Sequence, residues 1–233
     1  SKDMKKVIIL HGWTYSTEKY EALSELLNAK GLKASILEIP GFTEKLHIDK
    51  SWNLDDYINW LKGILDNEKE KVILIGHSNG GRIALNFAIK YPQKLSNLIL
   101  IDSAGIYHNE LAIRIKRVFF GTLAKIGKKL TSSEKLRSLL YKMTGEKDYK
   151  NASSYMRGTM VNLMKSDISL NLEKISVPTL IIWGENDKIT PLSDGLTINK
   201  LIKNSKLEII KDARHSPHFT NPKEVAKIIY EHI

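Results

Sequence analysis

Residues 76–81 read GHSNGG, preceded by Val72–Ile75 (VILI) and followed by a helix-like stretch. A serine hydroxyl attacks a carbonyl only when a base takes its proton and a third group orients that base. A buried strand that turns at once into a helix forces its corner residue into strained backbone. The neighbours two before and two after the corner must then be small. Gly76 and Gly80 meet that need around Ser78, and Gly81 adds to it. The five-residue pattern alone also describes an ordinary tight turn, so the rest of the chain has to supply the base, the acid and the strand–turn–helix setting.

Seven histidines are available. His215 lies in KDARHSPHFTNP, just after the apolar run Leu207–Ile210, and His218 follows three residues on. His215 is the favoured base, with His218 supporting its loop. The side chain of His77 should point away from the corner. His47, His108 and His232 lack context and read as surface or packing residues. Asp187, in LIIWGENDKITP, is the favoured acid, and Asp102, after Leu98–Ile101, is the rival. The first apolar run ends in HGW (11–13). Gly12 there allows close backbone approach, and the N–H groups of Trp13 and Asn79 could together hold an oxyanion.

Something must bring these residues together. Short aliphatic runs recur at Val7–Leu10, Ala34–Ile39, Val72–Ile75, Leu98–Ile101, Thr179–Trp183 and Leu207–Ile210. Their nearly continuous apolar character fits strands covered on both faces. Between them, Leu54, Tyr57, Ile58 and Leu61 have helical spacing, as do Val225, Ile228 and Ile229. Asn221 is expected to cap the last helix, with Pro222 at its first position and Glu224 completing a capping box. Thr190–Pro191 marks another helix start. Gly80, Ala84 and Ala88 form a small-residue stripe that lets the helix after Ser78 lie close on the sheet. The reading is α/β, an open, doubly wound and mostly parallel sheet of about six strands, with sites at the strands' carboxyl ends.

The alternation breaks once. Residues 106–172 hold no convincing strand but helix-like pieces such as Leu111–Lys129 and Ser132–Met143, which predicts a helical cap inserted into a core of 1–105 and 173–233. That segment carries +8 of the chain's formal +10. Its piece 114–130 is amphipathic and basic. It reads as a lid with solvated lysines, as an attractor of anionic substrate, or as a membrane-surface contact weakened by salt.

Composition excludes several classes. The chain has 233 residues and no cysteine, hence no disulfide framework and no thiolate metal site. No apolar run approaches a bilayer span, and SKDMKK before VIIL is unlike a signal peptide, so the expected location is cytoplasmic. No recognition motif accompanies the basic charge, so nucleic acid is not an expected partner.

Four motifs in order, HGW (11–13), GHSNGG (76–81), WGENDKITP (183–191) and RHSPHFTNP (214–222), give the chain its resemblance to the cap-bearing α/β-hydrolases. The resemblance implies a Ser78–His215–Asp187 triad, an oxyanion hole from the Trp13 and Asn79 N–H groups, and a carboxylesterase-like reaction without metal or organic cofactor. The family's first hairpin is missing from this reading. Haloalkane dehalogenases and epoxide hydrolases of the fold use aspartate at the corner, where this chain has Ser78. Carbon–carbon bond hydrolases often carry Asn before the serine, where this chain has His77. The expected substrate is a small-molecule ester or lactone, or an acyl thioester, and an anionic one would suit the basic segment. Trp13, Tyr15 and Phe42 are expected to line the pocket. A ligand-sensing protein that keeps the triad without turnover is the reading from a different class.

Overall fold

The computed structural model describes residues 4–14, 16–108 and 154–233. Six strands form one sheet: β1 (Lys6–Leu10), β2 (Lys33–Leu37), β3 (Val72–His77), β4 (Leu95–Ile101), β5 (Thr179–Gly184) and β6 (Ser205–Ile210). Their spatial order is β2-β1-β3-β4-β5-β6, and every neighbouring pair is parallel. The four inner strands are the apolar runs of the sequence, buried on both faces as parallel strands must be. The edge strands β2 and β6 are half exposed. β2 ends at Leu37, two residues earlier than expected, because the Ile39 N–H leaves the ladder and donates to Nε2 of His11.

Helices cover both faces. On one side, Leu23 and Leu27 of α1 (Glu21–Ala29) and Val225 and Ile229 of the last helix pack against Val7, Ile9, Ile73 and Ile75. On the other, α2 (Leu54–Leu65) and α3 (Asn79–Lys90) bury Ile58, Leu61, Ile83 and Leu85 against Ile8, Leu10, Leu74 and Leu98. Alternate residues of each strand thus serve opposite layers. α2 begins at a capping box in which Asn53 and Asp56 bond each other's backbone N–H.

Between β4 and β5 the described residues contain α4 (Ser154–Ser166) and short 3₁₀ turns, and no strand. The helix-like pieces 111–129 and 132–143, and the basic stretch 114–130, lie outside the described residues. α4 docks on the loop before α2: the Trp52 N–H donates to Thr159 Oγ1 at 2.8 Å, and Asn162 Nδ2 donates to the Trp52 carbonyl at 3.0 Å. α5 (Leu192–Leu201) starts one residue after Pro191. The chain ends in α6 (Pro217–Thr220) and α7 (Pro222–Glu231). Asn221 precedes α7 as expected but does not cap it with its side chain. Its amide oxygen accepts instead from the Thr220 hydroxyl at 2.7 Å. Among the described residues, no helix is long and apolar enough to cross a membrane.

Candidate active site

The chain order reverses between β1 and β3, and in such sheets a crevice opens beyond the carboxyl ends at that point. The loop after β1 and the corner after β3 both reach it. Ser78 is the corner, with φ 53° and ψ −121°, a left-handed backbone that a non-glycine residue adopts only when its surroundings impose it. The surroundings are three glycines. A β-carbon on Gly76 would lie 2.6 Å from the Gly81 Cα. One on Gly80 would run into the Leu10 carbonyl, and one on Gly81 into the Ser103 side chain. The Ser78 carbonyl accepts from the N–H groups of Gly81, Arg82 and Ala104, at 2.9, 3.2 and 3.0 Å, which ties α3 and the β4 exit to the corner.

Gly12 lies against this corner; a β-carbon there would be 3.0 Å from Ser78 Cβ. The Gly12 N–H donates to Tyr20 Oη and the Thr14 N–H to the Phe42 carbonyl. Among the described residues, the N–H groups of Trp13 and Asn79 have no backbone hydrogen-bond partner. Trp13 stacks on Phe42 with ring centroids 5.0 Å apart. Phe42 itself is buried behind it against Tyr57, so it backs the crevice wall rather than lining it. Tyr15 lies outside the described residues.

The acid and base loops leave β5 and β6, which are neighbours. Gly184 passes so close to the Arg214 carbonyl that no β-carbon would fit. The Asn186 N–H donates to the Ala213 carbonyl at 2.8 Å. This contact brings the two loops side by side. His215 Nε2 lies 3.0 Å from Ser78 Oγ, and its Nδ1 lies 2.7 Å from Asp187 Oδ2. Asp187 also accepts from the N–H groups of Ile189 and Thr190 and from the Thr190 hydroxyl. Burial pushes its carboxyl up, but the hydrogen bonds from His215 and Asp102, with the His215 charge, outweigh that and hold it below the ordinary carboxylate value. The arrangement fits proton transfer from Ser78 to a ring fixed in one tautomer.

His218 does not reach Ser78. It is buried, stacked on Tyr20 at 4.5 Å and packed against His77 at 4.2 Å. His77 does point away from the corner, and it supports the site in a way the sequence did not reveal. It accepts from Tyr20 Oη at Nδ1 and donates from Nε2 to the His215 carbonyl, each at 2.7 Å. Burial, and then its neighbours His218 and His215, keep it well below the ordinary imidazole value and so neutral. A second unforeseen element is Arg82, buried on α3. Its Nε and Nη2 grip Asp167 at 2.8 and 2.9 Å, and its Nη1 donates to the Asn79 side chain. Asp102 is buried beside Asp187 rather than replacing it. Ligand atoms of Asp102, Asp187 and His215 lie within 4.8 Å of one another, the one such cluster among the described residues. His215 Nδ1 and Asp187 are already paired within it.

The family profile described as "Serine aminopeptidase, S33" matches residues 1–221. A pimeloyl-[acyl-carrier protein] methyl ester esterase of Wigglesworthia glossinidia brevipalpis is 28% identical, over 96% of this chain and 91% of that protein. The human monoacylglycerol lipase ABHD6 is 24% identical, over 97% and 74%. Among solved structures, a thermophilic esterase from Thermogutta terrifontis superposes with a TM-score of 0.75 at 23% identity, over 97% of this chain and 88% of that one.

Proposed function

The chain belongs to the serine aminopeptidase S33 family and has the α/β-hydrolase fold, and from that premise we propose that it is a serine hydrolase cleaving carboxylic esters of small to medium acyl compounds. One observation carries the reading: the unbroken line from Ser78 Oγ to His215 Nε2 and from His215 Nδ1 to Asp187 Oδ2. Ester hydrolysis suits it because an alkoxide leaves more easily than an amine, and two of the relatives are described as an esterase and a lipase.

Ser78 Oγ attacks the ester carbonyl as its proton passes to His215 Nε2. Asp187 holds the imidazolium in place. The N–H groups of Trp13 and Asn79 receive the oxyanion of the tetrahedral intermediate; one such donor is typically worth on the order of 10²–10³ in rate. His215 returns the proton to the departing alcohol, leaving Ser78 acylated. A water then attacks the acyl carbonyl, giving its proton to His215, and the acid leaves as Ser78 Oγ recovers that proton. Trp13, stacked on Phe42, supplies an apolar wall for the acyl group.

The test is a panel of p-nitrophenyl esters, lactones, acyl thioesters and an aminoacyl anilide, run with the Ser78→Ala variant. Ester turnover that disappears in the variant supports the reading. Turnover surviving the substitution, or none on any substrate, overturns it, and the second outcome favours a ligand-sensing protein.

A further inference from the structure

We propose that Asp102 is a positioning residue for this site: its carboxyl group carries a proton and donates it in a hydrogen bond to Asp187, holding that carboxylate on His215. The inference rests on the functional reading of Ser78, His215 and Asp187.

Asp102 directly follows β4 and is fully buried. Its backbone is left-handed, with φ 43°, a strained conformation for aspartate. The fold pins it there: its N–H donates to the Ile182 carbonyl at 3.0 Å, and its carbonyl lies 3.2 Å from Thr190 Oγ1. That same hydroxyl lies 2.9 Å from Asp187 Oδ2, so one threonine bridges the two aspartates.

Two carboxylates this close and this dry cannot both be ionised. The hydrogen bonds decide which one keeps the proton. Asp187 faces four donors: two backbone N–H groups, the Thr190 hydroxyl and His215 Nδ1. Asp102 has the Gly184 N–H, at 3.0 and 3.3 Å from its two oxygens. Among the described residues, no lysine or arginine bonds to it. The anion belongs on Asp187 and the proton on Asp102. Burial first, and then the hydrogen bond to Asp187 and its charge, hold the Asp102 carboxyl well above the ordinary carboxylate range. The titratable groups facing it are Asp187 and, beyond that, His215; the Asp187 charge also raises the carboxyl of Asp194 on α5.

A neutral acid is matched in shape and bonding by an amide. In Asp102→Asn the amide oxygen can accept from the Gly184 N–H while the amide nitrogen donates to Asp187. That variant keeps kcat within about threefold of the parent and an unchanged pH–rate profile. Asp102→Ala removes the donor, and kcat falls by about tenfold or more, with little change in KM. An infrared difference spectrum of the parent minus Asp102→Asn at neutral pH shows the carbonyl band of a protonated carboxylic acid. That readout holds even if the alanine variant fails to fold. An asparagine variant as impaired as the alanine one, an alanine variant with parental kinetics, or a missing band each overturns the proposal. Failure of the functional reading is separate: it appears as turnover surviving Ser78→Ala, and the infrared band is indifferent to it.

Discussion

His77 donates from Nε2 to the backbone carbonyl of His215 at 2.7 Å, so the residue just before the proposed nucleophile carries the loop of the proposed base. The bond is one link of a chain. The Gly12 N–H donates to Tyr20 Oη, and Tyr20 donates to His77 Nδ1. The loop after β1, the corner after β3 and the loop after β6 are thereby held from below by two buried rings.

Tyr20→Phe cuts this chain in the middle. It leaves the Gly12 N–H and His77 Nδ1 buried without partners, which costs about 1–3 kcal/mol for each unsatisfied group. Because Gly12 and His215 both lose support, kcat falls more than KM rises. Steady-state kinetics and urea midpoints on the same preparations check both effects.

Stability depends on pH through three buried histidines: His77, which burial holds well below the ordinary value, and two others. Burial pushes His11 down to about 4, against the opposing Gly12 carbonyl and Glu38. Burial, with the charges of His215 and Lys19, pushes His218 down to about 3. Between these values and the ordinary 6.5, the unfolded chain binds protons that the folded one refuses. The stabilisation is complete above pH 6.5 and drains away as pH falls toward 4 and then 3. At about 1.4 kcal/mol per pKa unit, it amounts to at most a few kcal/mol for each of His11 and His218. Urea midpoints at pH 7.5, 5.5 and 4.5 should fall in that order. His218→Phe keeps the ring on Tyr20 and removes the unpartnered Nδ1, so its profile is flatter.

Arg82→Met leaves Asp167 buried without its partner, at a cost of about 3–5 kcal/mol. Adding Asp167→Leu removes the stranded charge and recovers much of the loss. A double-mutant cycle in urea measures the coupling. Asn79 also loses the bond from Arg82 to its side chain, so activity falls in the single variant even where the fold survives.

The inner strands were legible because burial on both faces leaves an aliphatic run with no polar alternation, as at Val72–Ile75. The corner was legible because its geometry dictates residue types locally: Gly76, Gly80 and Gly81 sit where β-carbons would collide. His215 and Asp187 could be found because each follows a strand end. What escaped notice joins residues distant in the chain: Tyr20 to His77 across 57 positions, Arg82 to Asp167 across 85. No local pattern announces such a pair, and an aspartate after β4 reads as a rival acid until its neighbour is seen. The Asn221 cap failed for a local reason, since the adjacent Thr220 hydroxyl claims the oxygen a cap requires.

β4 and β5 lie side by side in register, although the chain departs after Ile101 and returns only at Thr179. The sheet therefore closes identically whatever length of polypeptide fills the detour, and the entropy of closing such a loop rises only logarithmically with its length. That excursion can lengthen or shorten while the two strand ends keep their spacing.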